Sequence, residues 1–124
     1  MIIQGETPSK KNSRINTRYG RSFPSKKYSE WHRNASTQIL LQAKDVNICE
    51  PIKITMEFTH GDLRRRDSDN GCSSILDLLV DNGILQDDNW QIVQEISIKN
   101  NYKKNSSFCK ITIDKLNIKD ILKT

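Results

Sequence analysis

The sequence predicts an α+β domain, a small mixed or antiparallel sheet of about four strands carrying two helices. Three patterns predict it. Ile52, Ile54, Met56 and Phe58 alternate with Lys53, Thr55, Glu57 and Thr59, the period of a strand with one buried face. Tyr28, Trp31, Ala35, Ile39 and Ala43 recur at intervals of three and four, the spacing of one helical face. A second helical run passes through Ile75, Leu76, Leu79 and Val80.

The elements follow in order. Residues 1–6 form a short first strand. Residues 7–24 then turn to Ser, Asn, Lys, Arg and Gly, a long basic loop carrying Lys10, Lys11, Arg14, Arg18 and Arg21. Ser25 is placed to cap the first helix, and Trp31 belongs to its core-facing stripe. Pro51 opens the alternating strand, and residues 61–66 connect it to the second helix. Asp67, Ser68 or Asp69 can cap that helix, and Gly83 can end it. Trp90, Ile92, Gln94, Ile96 and Ile98 share one face of the next strand, and Cys109, Ile111 and Ile113 share one face of the last. These two strands read as an antiparallel hairpin around a polar turn. A short, frayed helix is expected within residues 115–124, and the whole of 1–124 reads as one domain.

A formal net charge of +5 points to an anionic partner, nucleic acid or a membrane surface. No run approaches the roughly 18 apolar residues of a membrane span. Residues 1–13 turn polar too early for a signal peptide, so a cytoplasmic protein is expected. Cys49, Cys72 and Cys109 are odd in number, widely spaced and without a nearby histidine pair, the pattern of free thiols and not of a zinc site.

Chemistry concentrates between residues 64 and 90. Arg64, Arg65 and Arg66 run directly into Asp67 and Asp69, and Asp87 and Asp88 follow the helix. Carboxylates two residues apart in an extended or turning chain can face one ion. Asp88 can join them only by tertiary packing, while Asp87 points away from it if the backbone is extended. An oxygen-only donor set selects magnesium, with manganese as a substitute, over zinc. A divalent ion so held activates water and relieves charge on a phosphodiester, which is the chemistry of phosphodiester hydrolysis. The three arginines, extended by Lys10, Lys11 and Arg14 of the basic loop, suit the flanking phosphates. The residues "DSDNG" do not make an EF-hand, because glycine comes at the fifth place and Leu78 stands where the twelfth-place glutamate belongs. In the plainest reading one aspartate caps the helix, which leaves Asp88 and the arginine run unexplained.

The motifs "RRRDSDN", Asp77 inside the helix and "GILQDDNWQIV", with "IQGETPSKKNSR" and "YSEW" upstream, resemble the RusA-type Holliday junction resolvases of bacteria and their phages. The resemblance spans residues 2–114. It implies a magnesium-dependent endonuclease acting as an intertwined homodimer that cuts opposite strands of a four-way DNA junction in recombination and repair. It also implies that Asp67, Asp69 and Asp88 are the catalytic metal-binding carboxylates, with Asp87 in support. One departure stands out. The family commonly carries a functional lysine four residues after the second aspartate, and here that residue is Ser73. The alternative is therefore a branched-DNA-binding protein with weak or lost cleavage.

Overall fold

The computed structural model describes residues 1–9, 14–16, 22–43 and 46–117. Its elements are β1 (Ile2–Gln4), β2 (Arg14–Asn16), β3 (Ser22–Pro24), α1 (Lys26–Gln42), β4 (Ile52–His60), α2 (Ser68–Asp81), β5 (Val93–Tyr102) and β6 (Phe108–Lys115). Four strands make one mixed sheet in the order β1-β6-β4-β5, and β2 pairs with β3 separately. The α+β class holds.

Local chemistry accounts for the helices. Ser25 is extended, and its hydroxyl accepts the Tyr28 N–H at 3.2 Å, so α1 begins where the side chain can satisfy a backbone donor. Tyr28, Trp31, Ala35 and Ile39 form its buried stripe. Cys72, Ile75, Leu78 and Leu79 form that of α2, which ends at Asn82 before Gly83, whose φ of +72° is left-handed. Both stripes join Ile52, Ile54, Met56 and Phe58 of β4 and Cys109 and Ile111 of β6 in one core.

β4 and β5 run parallel, with Ile54 beside Ile96 and Met56 beside Ile98. On its other side β4 pairs antiparallel with β6, and β6 pairs antiparallel with β1. The expected β5–β6 hairpin is therefore corrected: β4 lies between the two strands. The connection steps over the end of β4, where His60 O accepts the Lys103 N–H and Gly61 O accepts the Asn105 N–H, both at 3.0 Å. A Cβ at Gly61 would meet Ser107 Oγ at 2.8 Å and Ser106 N at 3.1 Å, so a larger residue would turn the Ser107 side chain and push the crossing backbone outward.

Two further expectations change. Trp90 and Ile92 both precede β5 and so share no strand face with Ile96 and Ile98; Trp90 is 72% exposed in the turn before the strand. Asn89 Oδ1 accepts the N–H groups of Gln91 and Ile92 (3.0 and 3.3 Å), so these donors are taken up by the turn, and the bonding to β4 starts where Ile92 O accepts the Ile52 N–H at 2.8 Å. The loop 7–24 is not wholly irregular, since Arg14–Asn16 pair with Ser22–Pro24. Lys10, Lys11, Arg18 and Arg21 lie outside the described residues, as do 118–124 of the tail. Lys115 belongs to β6, not to a tail helix. Among the described residues no helix is long and apolar enough to cross a membrane.

Burial pushes the Tyr28 hydroxyl up to about 12, helped by the charges of Asp77 and Asp81, and burial pushes the Cys109 thiol up to about 12 as well. In an unfolded chain the same groups titrate near ~10 and ~8.5. Between those values and the native ones the unfolded state releases protons that the folded state keeps, so stability falls as pH rises. Urea denaturation should give a lower midpoint at about pH 10.5 than at about pH 7.5, and Tyr28→Phe should reduce that difference.

Candidate functional site

The connector after β4 is held by a chain of charged contacts. Glu6 Oε1 lies 2.6 Å from His60 Nδ1 and 2.5 Å from Arg66 Nε. Arg66 also reaches Asp62 Oδ1 at 2.9 Å and donates to Arg64 O at 3.1 Å. His60 Nε2 meets Asn100 Oδ1 at 2.9 Å, and Asn100 Nδ2 approaches Ser68 Oγ at 3.4 Å. The Arg64 N–H and the Arg66 guanidinium, both on Asp62, hold its carboxyl below the usual range. Three separate stretches, around residues 6, 60–68 and 100, are thus tied together at the start of α2. A buried Ser74 hydroxyl adds a further tie, donating to Pro8 O at 2.6 Å.

This clamp sorts the arginine run. Arg66 is committed to Glu6 and Asp62, whereas Arg64 and Arg65 are exposed and their guanidinium groups form no ion pair among the described residues. Together with Lys27 of α1 and Asp67 they border a cleft of about 530 Å³ over Phe58 and Gly71. Gly71 is needed there, since a Cβ would stand 3.0 Å from the Phe58 ring, which stacks on His60.

Asp67 occupies the N-cap position of α2 in extended backbone, yet its side chain makes no capping hydrogen bond. Asp69 lies in the first turn, and both residues are exposed. These two carboxylates sit together at a helix N-terminus, where the backbone dipole favours negative charge. They present oxygen donors suited to a hard divalent cation, with no thiolate or imidazole among them.

Asp88 is elsewhere. Because β4 and β5 are parallel, α2 runs back along the sheet and the chain re-enters β5 at the opposite end from Asp67. Asp88 is raised above the usual carboxylate range, first by burial and then by the charge of Asp87, with a smaller contribution from Asp77. Asp77 is eight residues beyond Asp69, about 12 Å along a helix axis. Among the described residues, no three His, Cys, Asp or Glu side chains come together as a metal-holding group. Asp87 is occupied structurally: its two oxygens accept the Asp88 N–H and the Asn89 amide, each at 2.8 Å, and these bonds lower its pKa. Ser73 is exposed one turn from both Asp69 and Asp77, and α2 contains no lysine or arginine.

Of the positions singled out from the sequence, Asp67, Asp69, Arg64 and Arg65 share one corner, Arg66 braces it, and Asp87 and Asp88 lie at the other end of the sheet. Arg14 is in β2. The roles of Glu6, His60 and Asn100 have no sequence signal, since their contacts join residues 32 to 60 positions apart.

A family model described as endodeoxyribonuclease RusA matches residues 5–114 of the chain. No curated protein matches it.

Arg66→Ala should lower stability by about 1 kcal/mol, the upper range for partly exposed ion pairs, because it opens two at once. Arg65→Ala should stay within about 0.5 kcal/mol of the parent. Urea denaturation of the two variants checks the distinction between brace and unpaired cation.

Proposed function

Because the chain belongs to the RusA endodeoxyribonuclease family, we propose that it is a magnesium-dependent nuclease that resolves four-way DNA junctions as a homodimer. The observation that carries this reading is the corner at the start of α2. An aspartate in the capping position makes no capping bond and stands beside two arginines that form no ion pair among the described residues. A purely structural helix start would use Asp67 as its cap, worth about 1 kcal/mol.

In this reading Asp67 and Asp69 hold the ion from one chain, and Asp88, which lies at the other end of the sheet within that chain, reaches it from the partner in the homodimer; Asp87 orients the backbone at Asp88. Magnesium, or manganese in its place, would supply Lewis-acid polarisation of the phosphoryl oxygens and a more acidic bound water. Arg64, Arg65 and Lys27 receive the DNA backbone along the cleft, with Lys10, Lys11 and Arg14 extending that track. The Glu6–His60–Arg66 clamp fixes the direction in which Asp67 and Asp69 leave the sheet, because it ties the connector on one side and Ser68 on the other.

A second reading, junction binding with weak cleavage, is favoured by one observation. Ser73 stands exposed between Asp69 and Asp77 on a helix without any cation, so no positive charge from α2 reaches the scissile phosphate.

Asp69→Asn should cut labelled four-way junctions at least about 100-fold more slowly in magnesium while still binding them in calcium. Equal rates for parent and variant would refute the assignment. Arg64→Ala and Arg65→Ala should each weaken junction binding and reduce the slope of log K against log salt by about 0.9. A parent that binds but does not cut, with cleavage appearing in Ser73→Lys, would establish the second reading over the first.

A further inference from the structure

We propose that the hollow beside Tyr102 and Leu63 receives a single unstacked nucleobase, and that Tyr102 is the residue by which this chain tells a branch point from continuous duplex. This pocket deepens the DNA reading above and rests on it only for the phosphate track along Arg64.

Tyr102 ends β5 and is the ladder partner of His60, so its ring stands on the same face of the sheet as the His60 imidazole. His60 in turn stacks on Phe58, with 6.4 Å between ring centroids and 12° between planes. A row of rings thus leads out from the core, and the outermost, Tyr102, is 52% exposed. Leu63 of the connector is 80% exposed. Both line a hollow of about 370 Å³ that shares Arg64 with the cleft over Phe58. The β1 edge of the sheet is closed instead, where Gln42 and Gln38 of α1 accept the N–H groups of Ile2 and Gln4.

The groups around this hollow divide into committed and free. His60 engages Glu6 and Asn100 through its two ring nitrogens, and Arg66 binds Glu6 and Asp62, so the back wall is fixed with its polar atoms satisfied. The Arg64 guanidinium forms no ion pair among the described residues, and Leu63 and Tyr102 offer apolar surface. An aromatic face beside a cation matches a nucleotide, with the flat base on the ring and the phosphate on the guanidinium. The volume stands at the low end for small-ligand pockets, room for one base with its sugar and not for a duplex. In the plainer reading Tyr102 is only the solvated end of a strand. That leaves unexplained why an aromatic ring and Leu63 are both uncovered in one hollow beside Arg64.

Base faces inside a duplex are covered by their neighbours, so a protein ring reaches one only where the stack is broken. A four-way junction breaks it at the crossover. Arg64 borders both the cleft and the hollow, so a strand whose phosphate rests there can lay the attached base against Tyr102. Opening a base costs least where it is already unpaired or unstacked. Continuous duplex therefore gains little from this pocket, and branched DNA gains a stacking partner. The arginines hold any DNA by its phosphates, and the ring adds the discrimination.

The test measures binding by the full chain in calcium to a four-way junction, a linear duplex and a single strand of one sequence. Tyr102→Ala should weaken binding to the junction and the single strand about 10-fold, and to the duplex less than about 2-fold. Tyr102→Trp should restore it, since stacking uses the ring and not the hydroxyl. The slope of log K against log salt should keep the parent's value in Tyr102→Ala, whereas Arg64→Ala lowers it. An iodouracil at the crossover should photocross-link to Tyr102, and one in mid-duplex should not. Equal losses on all three DNAs, no loss on any, or a cross-link elsewhere overturns the pocket. So does a Tyr102→Ala protein whose sedimenting mass differs from the parent's, because another copy of the chain would then be what covers the ring. A parent that binds none of the three DNAs overturns the pocket and the DNA reading together. A parent that uses Tyr102 on the single strand but binds the junction no better than the duplex supports the pocket and refutes junction recognition. Junctions bound through Tyr102 and left uncut in magnesium support the pocket and count against the nuclease reading alone.

Discussion

β4 is the strand on which the remaining geometry depends. It hydrogen-bonds to a parallel neighbour on one side and an antiparallel neighbour on the other, and its buried face supplies Ile52, Ile54, Met56 and Phe58 to the core. Parallel pairing with β5 requires a crossover, and α2 is that crossover. Everything chemical at the start of α2 therefore gathers at the C-terminal end of β4. The crossing of 103–107 over Gly61 closes the same end. One glycine and one helix thus settle which side chains can meet.

The corner beside that end combines rigid and uncommitted groups. Arg66, His60 and Asn100 spend their polar atoms on neighbours, whereas Asp67, Asp69, Arg64 and Arg65 largely retain theirs. Holding ligand-facing groups on elements whose own contacts are satisfied keeps their positions from drifting. The opposite signs found side by side in the sequence consequently separate in space. Arg66 is absorbed into structure, and the cations that remain face the cleft.

What could be read from the sequence was what neighbours along the chain decide. Ser25 and the Tyr28–Ile39 stripe fix α1 locally, and the alternation through β4 needs no knowledge of its partners. The aspartates of α2 are contiguous, so their grouping was legible as well. Strand pairing was not. Two apolar strands joined by a polar turn look like a hairpin, and only Gly61, forty residues upstream of the turn, bears a trace of the crossing. Trp90 stands outside the strand because Asp87 and Asn89 bond the N–H groups of the residues that follow them, a competition that periodicity does not register. Asp88 was expected near Asp67 and Asp69 on motif order alone, and the parallel direction of β5 sets it at the other end within one chain.

The glutamines that meet β1 carry a geometric lesson of their own. Gln38 and Gln42 of α1 are one helical turn apart, about 6 Å of rise; Gln38 Oε1 accepts the Gln4 N–H, and Gln42 accepts the Ile2 N–H and donates to Ile2 O, partners two residues and about 6.6 Å apart in a strand. The two rulers nearly coincide over one interval and drift by about 0.6 Å with each further step. A helix can therefore imitate a strand's amide ladder for a pair of rungs and then falls out of phase. β1, at three residues, is no longer than this imitation can serve. Its brevity and the glutamine spacing are two sides of one commensurability.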